Sequence, residues 1–178
     1  MNKKELLKEL KNILIKNNLT LSSAESCTGG LISSYLTDID GASNFIFQNF
    51  VTYSNEAKMK FLSVKKETLE KVGAVSPETA YEMSCGLLNY TDCSIATTGI
   101  LGPTGGSKEK PIGLVYISLG LKKGDKKEIK VIKYISKKAD TNDRHKIKKD
   151  IVNTRKKVIL NTNNELILMD GSFIKFHK

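Results

Sequence analysis

Residues 19 to 36 read LTLSSAESCTGGLISSYL, and the periodicity changes half-way along. Leu19 and Leu21 alternate with polar neighbours as in a short strand, while Leu31, Ile32, Tyr35 and Leu36 recur at helical spacing. Thr28-Gly29-Gly30 lies between them as the turn. A strand that passes through a glycine turn straight into a helix is the unit from which α/β domains are built. It also delivers Ser26 to the carboxyl end of a strand and the start of a helix.

Outward from that unit, Leu6, Leu7, Leu10, Ile13 and Leu14 predict an opening helix of roughly four turns. Phe45 to Tyr53, rich in Phe, Ile, Val and Thr, predicts a strand. Ser54 or Asn55 then caps a short helix carrying Lys58, Met59 and Leu62. Ser76-Pro77 opens a helix running to about Leu88, with a cap residue followed by proline in the first turn. Ser94 to Thr98 reads as a strand feeding a glycine-rich loop. Leu114 to Leu121 and Glu128 to Ile135 read as two strands joined by the turn Lys122-Lys123-Gly124-Asp125. A long helix is expected next, with Ile147, Ile151 and Val158 on its buried face and Ile159 as a further candidate. Two apolar runs around Asp170-Gly171 carry a hairpin signal. The expectation is a single α/β domain, a mixed β-sheet flanked by helices, over residues 1–164, with 165–178 as a hairpin extension of the same domain.

A chain of 178 residues is long enough to bury a core of its own. No run approaches the roughly 18 apolar residues that span a bilayer, so no membrane partner is expected. Acids interrupt the apolar pattern of the first ten residues, which reads as an amphipathic helix and not a secretory signal. Cys27, Cys85 and Cys93 form no C-x-x-C pair; this suits a cytoplasmic location and offers no zinc framework. The net charge of +10 is concentrated: residues 122 to 157 hold 15 Lys/Arg against 5 Asp/Glu, while the remainder holds 14 of each. A field of this kind can attract nucleic acid or acidic metabolites. A solvated lysine-rich helix and strand edge is the preferred reading, and no aromatic residues interleave for base stacking, so nucleic acid is not the expected partner.

Three strings bear polar side chains at turns or helix starts: residues 24–30 (AESCTGG), 53–58 (YSNEAK) and 97–106 (TTGILGPTGG). After Ser26, the N–H groups of residues 27 to 30 face no earlier helical turn and could stabilise negative charge. Gly29 and Gly30 would let a substrate approach that backbone. An alcohol beside such donors is what acyl transfer requires, although the same pattern also suits a plain helix cap. The chain has only His145 and His177, which argues against a Ser-His-Asp triad. Lys58, in the first turn of its helix, is the candidate base. A lysine near pKa ~10.4 is protonated at neutral pH, and a base must be brought to ~7–8; the positive helix end and burial both act in that direction. The alternative for Lys58 is an ordinary surface lysine. Tyr53 could orient the amine or relay a proton. Cys27 is a rival nucleophile or, without a histidine nearby, a small packed side chain. The loop of Gly99, Gly102, Gly105 and Gly106 lacks the Gly-Lys-Ser/Thr ending of a Walker A loop but could form an anion nest. Lys110 follows it. Arg144 could grip phosphate through its guanidinium, or serve as a surface charge.

In order, AESCTGG, VTYSNEAK (51–58), GAVS (73–76), TGILGPTGG (98–106), KPIG (110–113) and Asp143-Arg144 resemble the CinA C-terminal-domain family, whose characterised members are nicotinamide-nucleotide amidohydrolases. The resemblance covers roughly residues 3 to 162. It implies hydrolysis of the carboxamide of nicotinamide mononucleotide, a pyridine nucleotide, to nicotinic acid mononucleotide and ammonia, with neither metal nor organic cofactor. Ser26 would be the nucleophile, Lys58 its base and Tyr53 a supporting hydrogen-bonder. Thr28, Gly29, Gly30, Thr98 and the glycine loop would hold substrate, and Arg144 would meet its phosphate. Many relatives carry a further N-terminal domain similar to molybdopterin-binding proteins, which is not expected within these residues. Asn142 stands where the family pattern calls for glycine. The family's link to DNA uptake and damage keeps a competence-related binding module as the alternative. Domains of this kind often pair, so a homo-oligomer is expected.

Overall fold

The computed structural model describes residues 3–141, 143–153, 159–161, 165–167 and 173–175. After helix α1 (Lys3–Lys16) come strand β1 (Leu21–Glu25), α2 (Leu31–Thr37), β2 (Ile46–Val51), α3 (Asn55–Leu62), α4 (Lys66–Val72) and α5 (Pro77–Leu87). The chain continues through β3 (Cys93–Gly99), β4 (Leu114–Lys123), β5 (Lys126–Ile135) and α6 (Arg144–Asn153). Three short strands follow: β6 (Ile159–Asn161), β7 (Glu165–Ile167) and β8 (Phe173–Lys175).

The main sheet has the order β2-β1-β3-β4-β5. Its first three strands run parallel, and β4 and β5 are antiparallel additions. The expected mixed sheet is therefore present, and the alternation of side chains across it builds two apolar layers. On one face Leu21 of β1 and Leu121 of β4 pack with Leu7 and Leu14 of α1, Ile32 and Leu36 of α2 and Val152 of α6. Val115 of β4 meets Ile147 and Ile151 of α6 on the same side. On the other face Ala24 and Ala96 pack with Leu62 of α3, Leu69 of α4 and Met83 and Leu87 of α5. A Cβ on Gly86 would lie 2.0 Å from the Leu62 carbonyl oxygen, so only glycine lets α5 and α3 touch.

Two caps follow the expected chemistry. Ser54 Oγ accepts from the Ala57 N–H at 3.1 Å, and Ser76 Oγ accepts from the Thr79 N–H at 3.1 Å with Pro77 beside it. Helix α4 was not expected from periodicity, because Leu69 is its one buried apolar position. Ile159, read as a helix position, belongs instead to β6, which pairs with β7; a short apolar run such as residues 158–160 has no period to distinguish the two. Val158 and the turn Asp170-Gly171 lie outside the described residues, as does Asn142. The strands flanking the predicted hairpin, β7 and β8, pair antiparallel.

Chain direction at the sheet's carboxyl end positions the site. From β1 the chain departs into α2 on one face; from β2 it departs into α3 on the other. Where successive strands diverge in this way a crevice opens beyond their carboxyl ends, which is where open α/β sheets bind ligands.

Candidate active site

Ser26 directly follows β1, and its N–H donates to the Thr97 carbonyl of β3 at 3.0 Å, which fixes the backbone beneath its hydroxyl. Lys58 comes from the first turn of α3, and its side chain is only 1% exposed. Its Nζ lies 3.2 Å from Ser26 Oγ, 2.9 Å from the Thr52 carbonyl and 3.2 Å from the Tyr53 carbonyl. The pair anticipated from sequence is thus one hydrogen-bonded unit in the crevice between β1 and β2.

Three neighbours around one nitrogen define what this amine can do. A neutral amine has two N–H bonds and one lone pair. With the two carbonyls accepting both N–H groups, the lone pair faces the serine hydroxyl. Protonated, the same nitrogen donates to all three oxygens, so it can take a proton from Ser26 without losing a partner. Burial pushes the Lys58 pKa below its ordinary value, partly opposed by Cys27 and Glu56.

Cys27 does not share this character. Desolvation pushes its thiol up to about 12, against its own backbone hydrogen bond and the positive field of Lys148 and Lys58. It packs with Leu101, Val115, Ile147 and Ile151. Of the two readings left open for it, the packed side chain is the one its surroundings support.

The turn after Ser26 departs from expectation in one respect. The first donors of α2 are taken by Glu25, which is fully buried. Its Oε2 accepts from the Gly30 and Ile32 N–H groups at 3.1 and 3.0 Å. Its Oε1 accepts from the Ser33 N–H and hydroxyl, both at 2.7 Å. The positive end of α2 is therefore already capped, and the Gly30 N–H is not free for a ligand. Among the described residues the N–H groups of Thr28 and Gly29 meet no acceptor, while that of Cys27 faces its own sulfur, so the first two remain for an oxyanion. No local motif announced this role of Glu25, because its contacts lie five to eight residues on, beyond capping-box spacing. Thr52 was also missed. Its carbonyl holds Lys58, and its buried hydroxyl has no hydrogen-bond partner among the described residues.

Thr28 points away from the crevice: its hydroxyl is 2.8 Å from that of Thr97, within the protein. Thr98, directly after the strand residue that holds Ser26, donates its hydroxyl to the Ala74 carbonyl at 2.6 Å. Gly99 lies against β4, where a Cβ would come within 2.6 Å of the Leu114 carbonyl oxygen. Gly102 and Gly105 hold positive φ of 71° and 86°, and Gly106 backs onto Ile112. The Tyr53 ring is exposed, and its phenol meets the Arg144 guanidinium at 3.2 Å; its carbonyl, and not its hydroxyl, is what contacts Lys58. Arg144, at the start of α6, also donates to the Gly102 carbonyl. It thereby ties α6, the glycine loop and the end of β2 together at the mouth of the crevice. His145 is exposed on α6, donating only its N–H to Asp143 among the described residues.

The fold and this arrangement define a three-layer α/β domain with a serine–lysine pair where the chain diverges from β1 and β2. Residues 3–162 match the family profile described as the CinA C-terminal domain, and the chain belongs to that family. A CinA-like protein from Fusobacterium nucleatum is 54% identical over 130 residues, covering 73% of this chain and 30% of the relative. A CinA-like protein from Kosmotoga olearia is 54% identical over 110 residues, covering 61% and 27%. The chain thus spans under a third of the length of these curated relatives. Among solved structures, the competence/damage inducible protein CihA from Agrobacterium tumefaciens aligns with a TM-score of 0.75 at 40% identity, covering 85% of this chain and 90% of that one. The competence damage-inducible protein A from Klebsiella pneumoniae aligns with a TM-score of 0.73 at 32% identity, covering 86% and 92%.

Proposed function

We propose that this domain hydrolyses the carboxamide of nicotinamide mononucleotide, releasing ammonia and nicotinic acid mononucleotide. The observation that carries the reading is the buried Lys58 amine, its pKa lowered by desolvation, 3.2 Å from Ser26 Oγ. An amide is a poor electrophile, so attack needs an activated alcohol, donors for the oxyanion and a proton for the departing nitrogen. Ser26 Oγ attacks the carboxamide carbon as its proton passes to Lys58 Nζ. The oxyanion forms against the N–H groups of Thr28 and Gly29. Lys58 then protonates the amide nitrogen, the C–N bond breaks, and ammonia leaves behind an ester on Ser26. Water, deprotonated by Lys58, attacks that ester; the C–O bond to Ser26 breaks and the serine recovers its proton. Tyr53 contributes a carbonyl to hold Lys58 and, through the phenol held by Arg144, a wall of the substrate cleft. Ammonia release from nicotinamide mononucleotide by the wild type, lost in Ser26→Ala, is the expected result. Turnover absent from the wild type, or equal in the variant, rejects the reading.

A second reading rests on the competence/damage name of the structural relatives and the lysines on edge strand β5, of which Lys126 and Lys133 are exposed. In that reading the domain binds nucleic acid or a competence-related partner. Sequence-independent DNA binding that disappears steeply as salt rises would mark simple charge attraction. Self-association is likewise proposed, and a monomer mass by light scattering would refute it.

A further inference from the structure

Among the described residues three buried side-chain atoms meet no hydrogen-bond partner: Ser22 Oγ, Gln48 Nε2 and Thr52 Oγ1. Buried polar groups are nearly always paired, so each requires an account. Ser22 and Gln48 stand opposite each other in the β1–β2 register, further back in the sheet. Thr52 is different, because it lies at the carboxyl end beside the candidate base. The last pair of that register is Glu25 with Val51, and the Thr52 N–H donates to the Glu25 carbonyl at 2.9 Å, so Ser26 and Thr52 come next as neighbours. Side chains alternate between the two faces of a strand. Ala24 and Phe50 pack on the side of α3 and α5, and Ser26 and Thr52, two residues on, present their side chains to that same side. Lys58 reaches them from α3, its Nζ 3.2 Å from Ser26 Oγ and 2.9 Å from the Thr52 carbonyl. Thr52 is 1% exposed against 9% for Ser26, so its hydroxyl is the deeper of the two. A buried hydroxyl thus adjoins the reacting pair and bonds to neither member of it.

We infer that the Thr52 hydroxyl holds the water that hydrolyses the ester on Ser26. The inference rests on the amidohydrolase reading for the existence of that ester. Once Ser26 is acylated its oxygen carries no proton, and the lone pair of neutral Lys58 is left for another partner. A water there gives one hydrogen to Lys58 Nζ and the other to Thr52 Oγ1, which turns its own lone pair on the ester carbon. As the new C–O bond forms, the proton passes to Lys58; it returns to Ser26 Oγ as the ester bond breaks. The amide nitrogen of the substrate needs no such holder, since the rest of the molecule keeps it in place. A water has only the groups that bond it. Removing the hydroxyl therefore costs the water step more than the ammonia step.

The water step can be read alone because it runs in both directions. Product acid that re-forms the ester expels a carboxylate oxygen as water, and hydrolysis then takes an oxygen from solvent. The test follows heavy-oxygen label from water into the carboxylate of nicotinic acid mononucleotide, by mass spectrometry, for wild type, Thr52→Val and Thr52→Ser. Thermal unfolding, and kcat/KM for ammonia release from nicotinamide mononucleotide, are measured in parallel; that kcat/KM ends at the expulsion of ammonia and excludes the water step. Thr52→Val keeps the shape and removes the hydroxyl. It should slow exchange roughly tenfold, the worth of one hydrogen bond to the attacking water, and lower kcat/KM by a smaller factor. Thr52→Ser should recover most of the exchange. The melting temperature of Thr52→Val should not fall, since no hydrogen bond of the hydroxyl within the described residues is lost. Exchange unchanged in Thr52→Val, exchange and kcat/KM reduced equally, or a wild type that releases ammonia without exchange would overturn the water site and leave the amidohydrolase reading standing. Exchange that depends on Thr52 in a wild type releasing no ammonia would do the reverse. A wild type that does neither rejects both.

Discussion

Lys58 is held by two main-chain carbonyls that both its protonation states can use, yet burial weighs against the charged one. Removing the amine should therefore separate activity from stability. Lys58→Met is expected to lower turnover of nicotinamide mononucleotide by about 10²- to 10⁴-fold, the usual worth of a positioned general base. Its melting temperature should change by only a few degrees, because the charge that burial disfavours is removed while the Thr52 and Tyr53 carbonyls lose their donor. A melting temperature that falls by many degrees would show that the amine is chiefly a structural strut. The same burial ties stability to pH. A lysine whose folded pKa lies below its unfolded value binds fewer protons when folded, so Lys58 makes stability rise with pH across the window between the two. Chemical denaturation of wild type and Lys58→Met from neutral pH upward should show this rise in the wild type alone. Ser26 and Lys58 were legible in the sequence because a reactive side chain at a strand end, and a lysine in a first helical turn, are local patterns. The contacts of the Tyr53 ring were not legible, since they depend on where α6 lies.

At the scale of elements, the strand–turn–helix of residues 21–37 is held by Glu25, whose carboxylate does for α2 what a capping side chain does elsewhere. Glu25→Ala would leave buried donors without an acceptor, and a loss of about 3 kcal/mol or more is expected by denaturant titration. A near-neutral result would mean that water replaces the carboxylate. Sequence reading located most elements because their apolar periods or caps are local: α1, α5, β4 and β5 lie within a few residues of expectation. It missed α4, whose one buried apolar position is Leu69, and read Ile159 as a helix position although it pairs in β6. The Glu25 cap escaped for a different reason, since a carboxylate that serves donors up to eight residues on needs the turn already folded.

For the whole molecule, the mixed sheet was readable from crossovers and hairpins together, but the strand order β2-β1-β3 was not. That order matters most for function: it sets β1 between β2 and β3, so Ser26 from one strand and Lys58 from beyond its neighbour meet where the chain diverges to opposite faces. The excess positive charge lies partly on β5, at the opposite edge of the sheet from β2. Lys126→Glu with Lys133→Glu should therefore abolish low-salt DNA binding while changing ammonia release by less than about twofold, as expected for exposed charges screened beyond a Debye length of ~8 Å. A large loss of turnover would instead place that edge in the reaction. The account as a whole depends on a neutral Lys58 drawing the proton from Ser26. The most direct measurement is the pH dependence of kcat/KM for ammonia release from nicotinamide mononucleotide. Activity should climb through one ionisation with its midpoint below the ordinary lysine value of 10.5 and then level off. A profile without that rise, or one that falls over the same range, would contradict it.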